Sequence, residues 1–125
     1  MSTREIGDGG EILTAYYLEK AGYRILRRNY TVRGGEIDII AEKDGVIAFV
    51  EVKSRDISAF ESGVYAVTKR KRRLIIRASQ EYLFRIGSDC QPRYDVADVA
   101  LSDGKPVKLR YYDNAFSADG IDTVL

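Results

Sequence analysis

The sequence predicts one α/β domain with a mixed β-sheet flanked by helices, in the element order α-β-β-β-α-β-β. Apolar residues recur at helical spacing in two segments and follow strand patterns in five shorter ones. The second helical segment separates the third strand from the fourth. Because a helical crossover joins parallel strands, the third and fourth strands are expected to be parallel, and the first three to form an antiparallel meander. The helices are expected on both faces of the sheet or together on one.

Start and stop signals set the bounds of these elements. Helices are predicted over residues 10–21 and 68–86, and each is followed by a glycine. Strands are predicted over residues 23–32, 36–42, 46–55, 93–101 and 107–112. Asp44-Gly45 and Asp103-Gly104 are favoured turn pairs, and Thr68 can cap the second helix. Residues 56–66 look irregular, the domain is expected over 1–116, and 117–125 is expected to be a loose C-terminal tail.

Composition restricts the chemistry that is open to this chain. Its 125 residues suit a single domain, and its formal net charge of +1 does not by itself indicate a basic nucleic-acid binder. The absence of histidine excludes histidine-based triads, and a metal would need oxygen ligands, which favours Mg²⁺ or Mn²⁺ over zinc. No apolar run approaches the roughly 20 residues that span a membrane. A cytoplasmic protein without a membrane partner is expected.

The turn between the second and third strands sets the register of a hairpin. If Asp44-Gly45 is a two-residue turn, Lys43 pairs with Val46 and all other pairs follow. One face then carries only apolar pairs, and a slip by one residue would mix the two faces. The apolar pairs are Ile37–Val52, Ile39–Val50 and Ala41–Ala48. The pairs on the other face are Ile40–Phe49, Asp38–Glu51 and Glu36–Lys53.

This register places two carboxylates opposite each other. Asp38 and Glu51 would lie about 5 Å apart at Cβ and repel, whereas a divalent cation would turn the repulsion into ligation. Lys53 shares their face and could neutralise charge, orient a water or stabilise a developing anion. The alternative is a solvated face on which Lys53 bridges Glu36 and Glu51. The apolar pair on the same face favours a partly covered site.

The two hairpin segments resemble a known family. Residues 35–40 (GEIDII) and 49–55 (FVEVKSR) resemble the widespread bacterial YraN-like family, which is related to archaeal Holliday-junction resolvases and to the PD-(D/E)XK nuclease superfamily. Further similarity lies at Gly10-Glu11, at 93–96 and at 114–116. A lone D…ExK pattern is frequent by chance, but the two segments together are fairly specific. The resemblance implies a restriction-endonuclease-like fold.

The resemblance also implies roles for individual residues. Asp38 and Glu51 would ligate Mg²⁺ or Mn²⁺ together with the carbonyl of Val52, and Lys53 would position the attacking water. Glu11 would reach in from the first helix, which completes a catalytic set of Asp38, Glu51, Lys53 and Glu11. Glu11 could equally belong to the first helical turn, where the helix dipole favours an acid. Few ligands come from the protein, so metal binding without substrate is expected to be weak.

The densest basic run opens the second helix, and it indicates a partner. The candidate nucleic-acid-binding residues are Lys69, Lys71, Arg72, Arg73 and, on the third strand, Arg55. Lys71 continues the apolar stripe of its helix and can point towards the sheet. The alternative for this run is a solvated helix face.

The function predicted from these features is metal-dependent hydrolysis of phosphodiester bonds in DNA or RNA, with branched DNA as a candidate substrate. A non-catalytic nucleic-acid-binding protein and an adaptor domain that binds a protein partner stay open. The expected partner is nucleic acid, with DNA placed before RNA. Cutting a junction would require a homodimer to place two sites.

Overall fold

The computed structural model describes residues 3–119 of the chain, and the side chains of residues 9–119. The elements are α1 (Thr3–Lys20), β1 (Arg24–Val32), β2 (Gly35–Lys43), β3 (Val46–Asp56), α2 (Ile57–Ser62), α3 (Lys69–Ile86), β4 (Gln91–Ser102) and β5 (Lys105–Phe116). Apart from the short helix α2, this is the predicted order. Of the predicted tail, residues 117–119 form neither helix nor strand, and the remainder lies outside the described residues. None of the described helices has the length and apolar character that crossing a membrane requires.

The five strands form one mixed sheet in the order β1-β2-β3-β4-β5. β3 and β4 are parallel, with α3 in the connection between them, and every other neighbouring pair is antiparallel. The predicted meander and parallel pair are therefore confirmed. The architecture is that of a restriction-endonuclease-like fold, with β3 at the centre of the sheet.

The helices lie on opposite faces of the sheet, and each face has its own apolar core. The α3-side core joins Ile75 and Ile76 of α3 to Phe49 of β3. The α1-side core joins Leu18 of α1 to Val50 of β3. Successive residues of the central strand thus face different layers, as the alternation of a strand requires.

The hairpin follows the predicted register through half of its length. Lys43 pairs with Val46, and the turn residues Asp44 and Gly45 have φ values of 50° and 79°, as a type I′ turn requires. The antiparallel ladder continues to the pair of Ile39 and Val50 and ends there. The pairs Ile37–Val52, Asp38–Glu51 and Glu36–Lys53 are therefore wrong as backbone pairs.

Where this ladder ends, the side chain of Asp38 accepts a hydrogen bond in place of a backbone carbonyl. The backbone N–H of Val52 donates to Oδ2 of Asp38 at 2.7 Å instead of to a carbonyl of β2. The predicted assignment of Ile37 to the core face of Ile39 is also wrong, because Ile37 belongs to the α3-side core and Ile39 to the α1-side core. The alternation of β2 therefore shifts phase beside Asp38, the residue whose carboxylate accepts from Val52.

Helix α1 begins at Thr3, whereas the sequence predicted a start at residue 10. Gly9 and Gly10 lie inside the helix although glycine weakens helices. A Cβ on Gly10 would lie 1.9 Å from Oγ of Ser54 on β3. The glycine thus permits a close approach of α1 to the sheet, which propensity does not reveal.

Other helix ends are set by capping residues. Thr68 caps α3 as predicted, accepting from the N–H of Lys71 at 3.2 Å, and Gly87 ends the helix in the left-handed region at φ 62°. The prediction that residues 56–66 are irregular is wrong at α2, which Asp56 caps by accepting from the N–H of Ser58 at 2.9 Å. A helix of six residues carries too little periodicity to be recognised.

Candidate functional site

Asp38 and Glu51 meet at the point where β2 and β3 separate. Glu51 lies on the central strand, pairs with Val96 of β4, and is only 5% exposed. Asp38 is partly exposed and is fixed by its hydrogen bond from Val52. The sheet therefore holds both carboxyl groups, that of Asp38 nearer to solvent and that of Glu51 in the interior.

Burial gives Glu51 an unusual protonation state. Its pKa is raised from 4.5 to about 9, and the largest cause is removal from water, followed by the hydrogen bond with Asp38 and then by the charge of Asp38. Lys71 acts in the opposite direction without cancelling the effect. At neutral pH Glu51 is therefore protonated, and it is hydrogen-bonded to Asp38.

Lys71 is the lysine that approaches these carboxyls. Its Nζ lies 3.8 Å from Oε2 of Glu51, and it donates a hydrogen bond to Glu36. Burial alone would lower the pKa of Lys71, but the hydrogen bond to Glu36 and the charge of Glu51 outweigh it and raise the pKa. Lys71 therefore stays charged. As predicted, it points to the sheet, which places it at the carboxyl pair.

Lys53 lies at the rim of the site. Its side chain is exposed, and its ammonium group sits 5.7 Å from the centre of the Tyr65 ring. In the described part of the chain Lys53 forms no ion pair with Glu36 or Glu51; Glu36 pairs with Lys71 instead. Lys53 and Glu51 nevertheless share one side of β3, since they are two residues apart. Its role with an attacking water stays a prediction.

Tyr65 is a site residue that the sequence analysis missed. It lies in the connection between α2 and α3, beneath the ammonium group of Lys53. Burial raises the pKa of Tyr65, and the negative charge of Glu51 raises it further. The sequence around Tyr65 has no periodicity, so no signal indicated that this segment returns to the carboxyl pair.

Glu11 faces β1. It is 8% exposed, lies 3.7 Å from the guanidinium group of Arg28, and accepts from the Asn29 amide at 3.2 Å when that amide is oriented with its nitrogen towards Glu11. The first-turn alternative is wrong, because α1 begins at Thr3. Among the residues that the structure describes, no three acidic or cysteine side chains form a cluster suited to a metal. Metal ligation by Glu11 stays a prediction.

The predicted nucleic-acid-binding residues occupy four environments, of which the first, that of Lys71 at the carboxyl pair, is described above. Lys69 and Arg73 are exposed on the first turns of α3, whereas Arg72 is half-buried beside the 64–67 segment. Arg55 is engaged inside the protein, where it donates to Oδ1 and Oδ2 of Asp98 at 3.0 and 2.8 Å. The structure thus gives Arg55 a partner within the fold, and phosphate contact by this set stays a prediction.

Comparison with known proteins decides the family. The description of the matching family is "Uncharacterised protein family UPF0102", and the match covers residues 10–99. The chain belongs to the UPF0102 family. The UPF0102 proteins of Chlorobium phaeobacteroides and Alkaliphilus oremlandii are 42% and 47% identical, cover 91% and 90% of this chain, and are covered over 94% and 98% of their own lengths. The UPF0102 protein of Symbiobacterium thermophilum is 41% identical over 93% of this chain and 99% of its own length. The family-level resemblance is thereby confirmed, and the match includes the whole hairpin.

This UPF0102 chain also buries two acids on β4 that the sequence analysis did not single out. Asp98 is fully buried and binds Arg110 at 3.2 Å in addition to Arg55. Asp95 is fully buried and accepts from Arg93 at 2.9 and 2.8 Å. The available sequence signal was an acidic residue within an apolar strand. This signal does not reveal the arginine partners, which lie two residues away for Asp95 and far away in the sequence for Asp98. Both acids are thus held by arginines within 3.2 Å, whereas Glu51 has Lys71 at 3.8 Å and the second carboxyl group, that of Asp38, beside it.

Proposed function

We propose that this UPF0102 chain is a metal-dependent nuclease of the PD-(D/E)XK superfamily that hydrolyses phosphodiester bonds in nucleic acid. One observation carries the proposal: Glu51 is buried beside Asp38, and its pKa is raised to about 9 by burial and by that neighbour. Burying a carboxyl next to another one destabilises the fold. Perturbed groups of this kind concentrate at functional sites.

The donor atoms at this pair suit Mg²⁺ or Mn²⁺. Asp38 and Glu51 offer carboxylate oxygens, and hard divalent cations prefer oxygen ligands. The N–H of Val52 points to Asp38, and a strand residue directs its N–H and C=O to the same side, so the Val52 carbonyl is a third donor. Three protein donors match a cation that keeps several waters. When bound, the cation would polarise the scissile phosphate and lower the pKa of a bound water.

Lys71 and Lys53 would have different roles in the reaction. Lys71 is charged and is held by Glu36 and Glu51, so it limits the negative charge of the pair whether or not a proton is present. Lys53 is exposed on the solvent side of the same strand, where a water that attacks phosphorus would approach. A positioned cation there orients the nucleophile and stabilises negative charge that develops in the transition state.

A single-turnover cleavage assay with Mn²⁺ tests this proposal. Wild type is expected to cut nucleic acid, and Asp38→Asn and Glu51→Gln are each expected to lower the rate by about a hundredfold or more. Glu81→Gln is the matched control, because this carboxylate pairs with Arg85 on the far part of α3. Cleavage by Asp38→Asn at the wild-type rate would contradict the proposal. Salt-dependent binding without cleavage by wild type would instead indicate the non-catalytic binding protein.

A further inference from the structure

A cleft of about 500 Å³ opens beside the Asp38–Glu51 pair. One wall is the 64–67 segment that joins α2 to α3, and the opposite wall is the end of β5, residues 112–116. Arg72 of α3 lines the cleft, and buried Val96 of β4 contributes to its floor. Its volume falls within the range of pockets that hold small molecules and nucleotides.

The cleft and the carboxyl pair are neighbours on the same face of the sheet. Val96 is the partner of Glu51 in the parallel ladder of β3 and β4. Tyr65 belongs to both places, because it lines the cleft and the centre of its ring lies 5.7 Å from the ammonium group of Lys53. A group in the cleft and a phosphate at Asp38 and Glu51 could therefore belong to the same molecule.

The lining combines flat apolar surface with polar groups. Tyr65, Tyr112 and Phe116 are the aromatic residues of the lining, and the Phe116 ring is stacked on the Tyr94 ring with 5.3 Å between their centres. Nε of Arg72 is buried and has no hydrogen-bond partner within the described part of the chain. An aromatic platform with an arginine beside it is the combination that binds an unstacked base and its phosphate.

A bulge in β5 shapes the far wall of the cleft. The pairing of β4 with β5 shifts between Tyr94 and Val96, and Asn114 has a φ of 52°, in the left-handed region. The N–H of Asn114 donates to buried Asp95 at 2.9 Å, which fixes this bulge. Bulges of this kind are common next to functional sites, where they re-aim side chains.

We propose that this cleft receives one unpaired nucleotide of the nucleic acid cut at Asp38 and Glu51, with its base on Tyr65 and a phosphate on Arg72. This inference rests on the proposed function and specifies its substrate class. In an uninterrupted duplex both faces of each base are covered, and extruding one costs a few kcal/mol. Single strands and branch points offer the base without that cost, so they are the preferred substrates.

Nucleic-acid binding measured in EDTA tests the cleft proposal independently of cleavage, because EDTA removes the metal that cleavage requires. Fluorescence anisotropy compares a short labelled single strand with a duplex of the same sequence, and wild type is expected to bind the single strand more tightly. Tyr65→Ala should weaken single-strand binding about tenfold or more, since stacking of one base contributes about 1–3 kcal/mol. Tyr65→Phe should retain the affinity. Tyr16→Ala, which removes an exposed tyrosine on the opposite face of the sheet, should leave it unchanged.

A second variant tests the proposal if Tyr65→Ala does not fold. Arg72→Gln should weaken single-strand binding and reduce its salt dependence, and thermal melting reports whether each variant is folded. 2-Aminopurine placed at one position at a time should be quenched at a single position in wild type. Folded variants that bind the single strand as wild type does would overturn the cleft proposal, as would equal affinity of wild type for duplex.

The outcomes separate this inference from the proposed function. Asp38-dependent cleavage together with unaltered binding by Tyr65→Ala overturns the cleft and leaves the nuclease standing. Single-strand binding that depends on Tyr65, without cleavage in any metal, supports the cleft as a binding site and overturns the nuclease. No binding to either nucleic acid overturns both.

Discussion

At the scale of single residues, Glu51 is the side chain whose placement works against folding. Its pKa is about 9 in the folded chain, raised by burial and by Asp38, against an ordinary value of 4.5. Between these two values the folded state holds a proton that the unfolded state has released. The unfolding free energy therefore falls as the pH rises from about 4.5 towards 9. Burial of Glu51 therefore lowers the stability of the protein at neutral pH.

Glu51→Gln should stabilise the protein at alkaline pH. Glutamine cannot ionise, so the unfolding free energy at pH 8 should exceed that of wild type by about 1–3 kcal/mol, while the two proteins should differ little at pH 4.5. Urea denaturation at both pH values measures this difference. Glu81→Gln should keep the wild-type pH dependence. Parallel curves for Glu51→Gln and wild type would show that Glu51 does not carry the raised pKa.

Metal binding should release the proton of Glu51. Because the proton and the cation compete for the same oxygens, Mn²⁺ affinity should rise about tenfold per pH unit until the pH approaches the pKa of about 9. Calorimetry in two buffers of different ionisation enthalpy counts the protons that are released. Asp38→Asn should abolish the binding. Release of no proton at pH 7 would show that Glu51 is not protonated there, whatever the affinity.

At the scale of elements, the contact between β2 and α3 places Asp38 and Lys71 on either side of Glu51. Gly35, the first residue of β2, makes this contact possible. A Cβ at Gly35 would lie 2.6 Å from the carbonyl oxygen of Leu74 and 2.8 Å from the backbone nitrogen of Ala78. These are backbone atoms of α3, which cannot move without displacing the helix.

Gly35→Ala should therefore destabilise the fold by about 1–3 kcal/mol, the range for overpacking a core. Gly63→Ala is the matched control, because a Cβ there meets no atom within 4 Å. That control should stay within about 0.5 kcal/mol of wild type. Midpoints of urea denaturation compare the two. Equal midpoints for wild type and Gly35→Ala would show that α3 yields to the added methyl group.

The same elements show what sequence patterns can and cannot predict. The turn at Asp44-Gly45 and the alternation of the hairpin fix its register, because both act between residues close in the chain. The end of the ladder after Ile39 depends on a side chain, Asp38, which replaces a backbone acceptor, and no pattern encodes that exchange. Tyr65 and α2 were missed because their positions depend on tertiary contacts. The proximity of Asp38 and Glu51 was therefore predictable from the sequence, whereas their surroundings were not.

At the scale of the whole molecule, the near-neutral net charge conceals an uneven distribution. Two fully buried acids, Asp95 and Asp98, use arginines as internal partners. The first turns of α3 instead present exposed basic side chains next to Arg72 and the cleft, namely Lys69, Arg70 and Arg73. Phosphates along a bound strand would meet positive charge here, although the chain carries a formal net charge of only +1.

Removal of this charge should change binding and leave the chemical step intact. The triple variant Lys69→Gln, Arg70→Gln, Arg73→Gln should bind single strands more weakly and lower the slope of log affinity against log salt by about two, at roughly 0.7 per lost contact. Lys105→Gln with Lys108→Gln on β5 is the matched control, because both lysines are exposed at the edge strand. An unchanged slope in the triple variant would place the bound strand elsewhere.

Lys53→Ala should have the opposite effect, a slower chemical step with binding nearly unchanged. Lys53 is exposed and lies at the rim of the carboxyl pair, so its loss should leave the fold, Mn²⁺ affinity and the salt slope nearly unchanged. The single-turnover rate should fall by about a hundredfold or more, since a positioned charge contributes a few kcal/mol in the transition state. Because Lys53 and the basic turns of α3 lie on different elements, a combined variant should show the two effects added together. A rate loss in Lys53→Ala matched by an equal loss of affinity would assign Lys53 to substrate binding instead.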